Sequence, residues 1–187
     1  MKTIDNITVI ENVTLISIND SPADFKVVAQ IFEMLSSAGI DVDMISQNPP
    51  QGKTSNLSFT VNDEDLGKVF ETASKLRELH PELKLAISSG NTKISVFGEG
   101  MKNCPGVASK VFSSIASTGV EVRMITTSEI EIAMLVVKSD VDNIRILCFE
   151  YNTYFIITGL RRRNGYVCSL SGFKHNRCAK RVFENFS

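Results

Sequence analysis

The chain has 187 residues, of which 43% are hydrophobic and 22% are charged, a composition typical of a globular protein with room for two small domains. No apolar run approaches the ~20 residues of a membrane span, and residues 1–6 lack a signal-peptide pattern, so a cytoplasmic protein without membrane contact is predicted. The net charge is −1, but residues 151–187 carry seven basic side chains and one acid, which predicts a boundary near residue 150.

The first part of the chain alternates between strand and helix patterns. Gly39 and Pro81 each follow a helical pattern and predict where that helix ends. In chain order the predicted elements are a strand at Val13–Ile18, a helix carrying Val28, Ile31, Phe32, Leu35 and Ala38, a strand with Ile40, Val42 and Met44, a strand with Leu57, Phe59 and Val61, a helix from Leu66 to Leu79, and a strand with Leu83, Leu85 and Ile87.

A second copy of this pattern follows. Residues 31–45 and 111–125 match at a constant offset of 80 residues, with Phe, Gly, Met and Ile recurring in register. An offset this long indicates duplication of a small domain. The second copy predicts a strand at Lys93–Phe97, a helix with Pro105 in its first turn that ends at Gly119, strands carrying Val120, Val122 and Met124 and then Ile130, Ile132, Met134 and Val136, and a helix carrying Val141, Ile144 and Leu147.

Each copy therefore has the order strand–helix–strand–strand–helix–strand. This order predicts an α+β fold in which a four-stranded antiparallel sheet carries two helices on one face. The other face of each sheet needs cover, which the second copy or a second chain is well placed to supply.

The candidate binding chemistry lies in two loops that lead from a strand into a helix, residues 19–26 and 98–106. The free N–H groups of a helix N-terminus suit a ligand carboxylate, and nearby carboxylates and amides suit a ligand ammonium. The candidate ammonium acceptors are Asp20, Asp24, Asp43, Gln47 and Asn48. Ordinary capping and turn chemistry explains the same residues equally well.

Motifs for catalysis, for a cofactor or for a metal are not found. The two histidines have no nucleophile or carboxylate in motif spacing, and the four cysteines form no C-x-x-C pair. We therefore expect no catalytic residue, no cofactor and no metal.

Several stretches resemble the tandem ACT units of aspartate kinase. Gly39–Asn48, followed by Leu57–Val61, is similar to the first unit. Ser95–Met101, Pro105–Ala108 and Met124–Ile132 are similar to the second, and the Thr-Ser-Glu-Ile run after a Met-Ile strand is the most specific of these features.

The resemblance implies two ferredoxin-like βαββαβ units, at residues 13–90 and 91–150. It also implies a lead-in strand within residues 1–12 that completes the second unit. Residues 151–187 are then a basic C-terminal tail, and residues 161–187 show neither a helix nor a strand period.

The resemblance further implies a regulatory module for feedback control of lysine, threonine and methionine biosynthesis. Such a module binds an amino-acid effector, lysine or threonine, and forms a homodimer through its ACT units. With the loop residues above, the candidate effector-binding residues are Asp20, Asp24, Phe25, Lys26, Asp43, Gln47, Asn48, Pro105, Gly106, Ser128 and Glu129.

The catalytic half of the family has no counterpart in the sequence. The family's kinase domain begins with a Lys-Phe-Gly-Gly-type strand that nothing here matches, so we expect this chain not to phosphorylate aspartate alone. A full-length aspartate kinase chain is then a candidate partner.

Two alternatives to effector binding stay open. The first is an interaction module that dimerises without a ligand. The Ser21–Lys26 loop of the first unit lacks the glycine of the family's Asp-x-Pro-Gly pattern, and this restricts how closely the backbone can approach a ligand. RNA-recognition motifs share the βαββαβ order, but they need exposed aromatic side chains on central strands. Because Phe59 is expected to face the helices, nucleic-acid binding is not expected.

Overall fold

The computed structural model describes residues 3–139 and the backbone of two further strands at residues 160–162 and 165–169. The predicted helix with Val141, Ile144 and Leu147 lies outside the described residues. The described elements are β1 (Asn6–Pro22), α1 (Phe25–Ser37), β2 (Ile45–Gln47), β3 (Thr54–Asn62), α2 (Leu66–Leu79), β4 (Lys84–Phe97), α3 (Val107–Ser117), β5 (Val122–Thr127), β6 (Glu131–Val137), β7 (Leu160–Arg162) and β8 (Gly165–Ser169).

The strands form one antiparallel sheet in the order β2-β3-β1-β4-β6-β5, with β8 pairing to β1 and to β7. The second half of β1 pairs with β3 and with the first half of β4, which gives the first unit its four strands. The first half of β1 pairs with the second half of β4, which continues into β6 and β5 as the second unit. The sheet and its helices confirm the predicted α+β fold class.

The prediction of separate strands on either side of the boundary between the units is wrong for β1 and β4. Each runs through both units as one long strand, 17 and 14 residues respectively. Asn12 and Gly90 take positive φ values of 62° and 68°, and the β1–β4 register shifts there. A left-handed residue in a strand produces a bulge and a bend, so the chain changes direction without leaving the sheet.

The helices cover one face of each half-sheet and enclose two cores. The spacing of the buried residues on α1 (Val28, Ile31 and Leu35) confirms the predicted helical face. The first core includes Ile16, Ile18, Leu57, Phe59, Val61, Val69 and Leu76, and the second includes Ile7, Val9, Ile94, Val96, Val111, Ile115, Ile132 and Met134. Helix α1 ends at Ser37, and Gly39, with φ of 65°, turns the chain away so that the Ile40 N–H donates to the Leu35 carbonyl at 3.0 Å.

The two half-sheets also pack against each other on the face away from the helices. Strands β2 and β5, at opposite ends of the sheet order, are in contact, so the sheet folds back on itself. Between them lies the interunit cluster, defined here as Val13, Leu15 and Met44 from the first unit and Met124, Ala133 and Leu135 from the second. The second copy thus helps to cover the sheet face of the first.

Two strands lie in the C-terminal part of the chain, although the sequence of residues 161–187 shows no strand period. Strand β8 pairs antiparallel with residues 6–9 of β1, and β7 pairs with β8. An unpaired sheet edge offers backbone N–H and C=O groups to any extended segment, so this pairing needs little side-chain periodicity.

Candidate functional site

The loop into α1 holds the first group of predicted site residues. Asp24 is the N-cap of α1, and its Oδ1 accepts a hydrogen bond of 2.9 Å from the Lys26 N–H. Phe25 is exposed. Because the chain's own carboxylate already lies at this helix N-terminus, a ligand carboxylate would meet negative charge there, while a ligand ammonium would be attracted.

The connection between β2 and β3 lies beside this loop. The Gln47 side-chain amide donates to the Ser55 hydroxyl at 3.2 Å, and Ser55 pairs with Ser21 at the end of β1. The Asn48 N–H donates to the Asn56 carbonyl at 3.0 Å. The structure therefore brings Gln47 and Asn48 to the same end of the first unit as the loop into α1.

Asp20 lies at this end as well, but its carboxylate has a partner. Its Oδ2 accepts a hydrogen bond of 2.8 Å from the Lys84 ammonium, and its N–H donates to the Asn56 side chain at 3.1 Å. The hydrogen bond to Asp20 and the charge of Asp20 raise the pKa of Lys84 above its ordinary value. An amino-acid ammonium would thus compete with Lys84 for Asp20.

Asp43 lies apart from this group. It precedes β2, whereas Gln47 ends it, and four residues of strand span roughly 13 Å. Both oxygens of Asp43 accept hydrogen bonds from the Lys93 ammonium of β4, at 2.8 and 2.7 Å. Asp43 therefore lies where the two units meet.

The second unit holds the remaining predicted residues around the loop into α3. Gly106, with φ of 90°, is the N-cap of α3, and no side chain caps this helix. Pro105 precedes the cap, so the expectation that it lies in the first helical turn is wrong. A glycine adopts this left-handed conformation without strain, which lets the chain turn sharply from Pro105 into the helix.

The turn between β5 and β6 faces this loop. The Glu129 carboxylate forms an ion pair of 2.7 Å with the Lys102 ammonium. The Ser128 N–H donates a hydrogen bond of 2.8 Å to the Glu131 carbonyl. An open depression here is lined by Met101, Lys102, Asn103, Cys104, Pro105 and Glu129.

The predicted residues thus form two loop ends, one in each unit, with Asp43 between the units. Sequence reasoning missed the lysines that pair with the predicted acids, which are Lys84, Lys93 and Lys102. Asp20 and Lys84 are 64 residues apart, and Asp43 and Lys93 are 50 residues apart. No local signal links such distant positions before the strand pairing is known.

Other kinds of site find little support in the described part of the chain. No helix there is long and apolar enough to cross a membrane, and no group of three or more potential metal ligands occurs among those residues. Phe59 is buried and packs on Phe32 with ring centroids 5.5 Å apart, so it is not available to stack on a base.

Comparison with known proteins gives the family. The ACT domain family matches residues 23–75 and 94–144. The aspartokinase of Geobacillus stearothermophilus is 38% identical over 111 residues, which are 58% of this chain and 26% of that protein. The chain spans between about a quarter and a third of the length of the curated relatives it matches.

Two solved structures share the architecture over nearly their whole length. The regulatory subunit of aspartate kinase from Thermus thermophilus matches with a TM-score of 0.67 and 26% identity, over 76% of this chain and 97% of that chain. A structure of aspartokinase alpha and beta subunits matches with a TM-score of 0.63 and 32% identity, over 73% of this chain and 89% of that chain. The chain therefore belongs to the ACT domain family, in the tandem arrangement of the aspartate kinase regulatory region.

Proposed function

We propose that this chain binds an amino-acid end product of the aspartate pathway, lysine or threonine, and passes the binding signal to an aspartate kinase. The observation that carries the proposal is the match to 97% of the Thermus thermophilus chain, which is named a regulatory subunit. Tandem ACT units alone therefore serve as a regulatory chain in a similar protein. Here the role would be feedback control of lysine, threonine and methionine biosynthesis.

The first unit offers two positions for a ligand ammonium group, the loop end and Asp43. Asp24 Oδ1 is engaged by the Lys26 N–H, and Asp24 makes no ion pair within residues 3–139. Its second oxygen and the side chains of Gln47 and Asn48 supply acceptors at one end of the unit. The proposed effector-binding set also includes Asp20, Phe25, Lys26, Asp43, Pro105, Gly106, Ser128 and Glu129.

Regulation would work through linkage between ligand binding and assembly. In the proposal the chain forms a homodimer through its ACT units, contributes no catalytic residue, and acts on a kinase chain that senses the dimer's arrangement. A ligand that prefers one arrangement shifts the equilibrium toward it, and such couplings are typically about 1–3 kcal/mol.

Titration calorimetry of the purified chain with lysine, threonine, methionine and diaminopimelate tests this proposal. We expect saturable binding of lysine or threonine. D24N keeps a good N-cap but removes the charge, so it should weaken binding by about tenfold, the equivalent of 1.4 kcal/mol. D41N, which removes an exposed carboxylate outside the proposed site, is the matched control and should bind as the wild type does. No heat with any of the four at millimolar concentration would refute the proposal.

The alternative function is an interaction module that dimerises without a ligand. Among the described strands, β2 and β5 each pair on one side only, and a free strand edge of this kind favours assembly with a second chain. Size-exclusion chromatography with light scattering separates the two. A dimer whose mass and stability do not respond to any amino acid supports the alternative.

A further inference from the structure

An almost buried lysine joins the two units. The Lys93 side chain is only 12% exposed, whereas its partner Asp43 is 50% exposed. Lys93 lies on the half of β4 that belongs to the second unit, and Asp43 lies ahead of β2 in the first. The pair is therefore a contact between units and not part of either core.

The pair lies next to the interunit cluster. Met44, which follows Asp43, is buried in that cluster, and its N–H donates to the Thr60 hydroxyl at 3.0 Å. Leu135, which pairs with Lys93 across the β4–β6 ladder, is buried in the same cluster. The Asp43–Lys93 pair therefore adjoins the packing between the two units.

We propose that Lys93 is a positioning residue whose ammonium occupies Asp43 in competition with the ammonium of an amino-acid effector. The inference rests on the proposed function, because it gives Asp43 the effector-binding role proposed above. It adds that effector binding at Asp43 must displace Lys93, which would loosen the contact between the two units.

The competition follows from charge. A carboxylate with a lysine ammonium on both oxygens is nearly neutral as a pair, so a second cation gains little by approaching it unless the first one leaves. The half-exposed side of Asp43 leaves a route for that approach. The group to be displaced is a primary alkyl ammonium, which makes the α- or ε-ammonium of an amino acid the matching competitor. By reciprocity, whatever stabilises the Lys93–Asp43 pair weakens effector binding to the same extent.

The test is calorimetric titration of L-lysine and L-threonine into the wild type, K93M, K93R and K68M. K93M keeps the length of the side chain and removes the ammonium, so it should bind the effector about fivefold tighter. K93R retains a cation and should bind within about twofold of the wild type. K68M removes the ammonium of the exposed Lys68–Asp65 pair, which has the same 2.7 Å contact but lies at the N-terminus of α2 within the first unit, and its affinity should not change.

A merely structural lysine would lower stability and leave affinity unchanged or weaker. If the wild type binds an amino acid but K93M binds it equally or more weakly, this inference is overturned while the proposed function stands. A wild type that binds neither amino acid overturns both.

A measurement on the wild type covers the case in which K93M does not fold. Lysine side-chain NMR signals are followed during the same titrations. The Lys93 signal should move with saturation and the Lys68 signal should not, whereas a Lys93 signal that is unmoved at saturation refutes displacement.

Discussion

Replacing Gly98 by alanine should destabilise the second unit through a steric clash. Gly98 follows β4, and a Cβ atom placed on it would lie 2.1 Å from the Thr3 carbonyl oxygen and 2.8 Å from the Ile4 Cα. Both contacts are to backbone, which cannot rotate away as a flexible side chain would. The φ of Gly98 is −174°, an extended conformation open to any residue, so the predicted effect comes from space alone.

The expected loss in the free energy of unfolding can be worked out from the contacts that residues 3–5 would lose. Ile4 belongs to the second core, and burying an isoleucine side chain is worth about 1.5–3 kcal/mol. Asp5 makes two hydrogen bonds to the same region, from its N–H to the Phe97 carbonyl at 2.8 Å and from the Glu99 N–H to its carboxylate at 2.9 Å. Each is worth about 0.5–1.5 kcal/mol. Displacing residues 3–5 should therefore cost roughly 3–5 kcal/mol.

Urea unfolding of G98A measures this loss as a lower midpoint. G67A is the matched control, because Gly67 lies in α2 with no atom within 4 Å of the added Cβ. Alanine is the better helix former, so G67A should gain about 0.5–1 kcal/mol. A loss of less than about 1 kcal/mol in G98A would mean that residues 3–5 do not pack against Gly98 as described.

Three further changes test other parts of the structure. F59A removes a buried aromatic ring from the first core and should cost about 3–5 kcal/mol in urea unfolding, whereas a loss below 1 kcal/mol contradicts the described packing. D24A removes the N-cap of α1 and should cost about 1 kcal/mol, while D24N should cost much less. D20N should lower the pKa of Lys84 toward its ordinary 10.5 in an NMR titration, since Asp20 is the first cause of the raised value. Because the raised pKa belongs to the folded state, the stabilisation by this pair is present below pH 10.5 and lost as the pH rises above it. An unchanged Lys84 titration in D20N would exclude the contact.

The cores were predictable because their periods are local. The three- and four-residue spacing of Val28, Ile31 and Leu35, and the alternation of Leu57, Phe59 and Val61, require no knowledge of distant contacts. Because the pattern repeats at an offset of 80 residues, helices and strands could be predicted for the second unit in the same way.

Long-range contacts were the part that the sequence could not supply. The resemblance implied unit boundaries after residues 12 and 90, and only the strand pairing shows that Asn12 and Gly90 are bends within β1 and β4. The pairing of β8 with β1 uses backbone groups that every residue carries. The same contrast between local and long-range information holds for the candidate site. Its loop positions could be predicted from the sequence, but the lysines that pair with its acids could not.

The most direct test of amino-acid regulation is a lysine or threonine titration of the ¹⁵N-labelled chain, followed by backbone amide shifts. The account predicts saturable shifts at residues 24–26, 43 and 47–48, with little change on the exposed face of α2. Saturable shifts confined to other parts of the chain, or no shifts at millimolar amino acid, would contradict it.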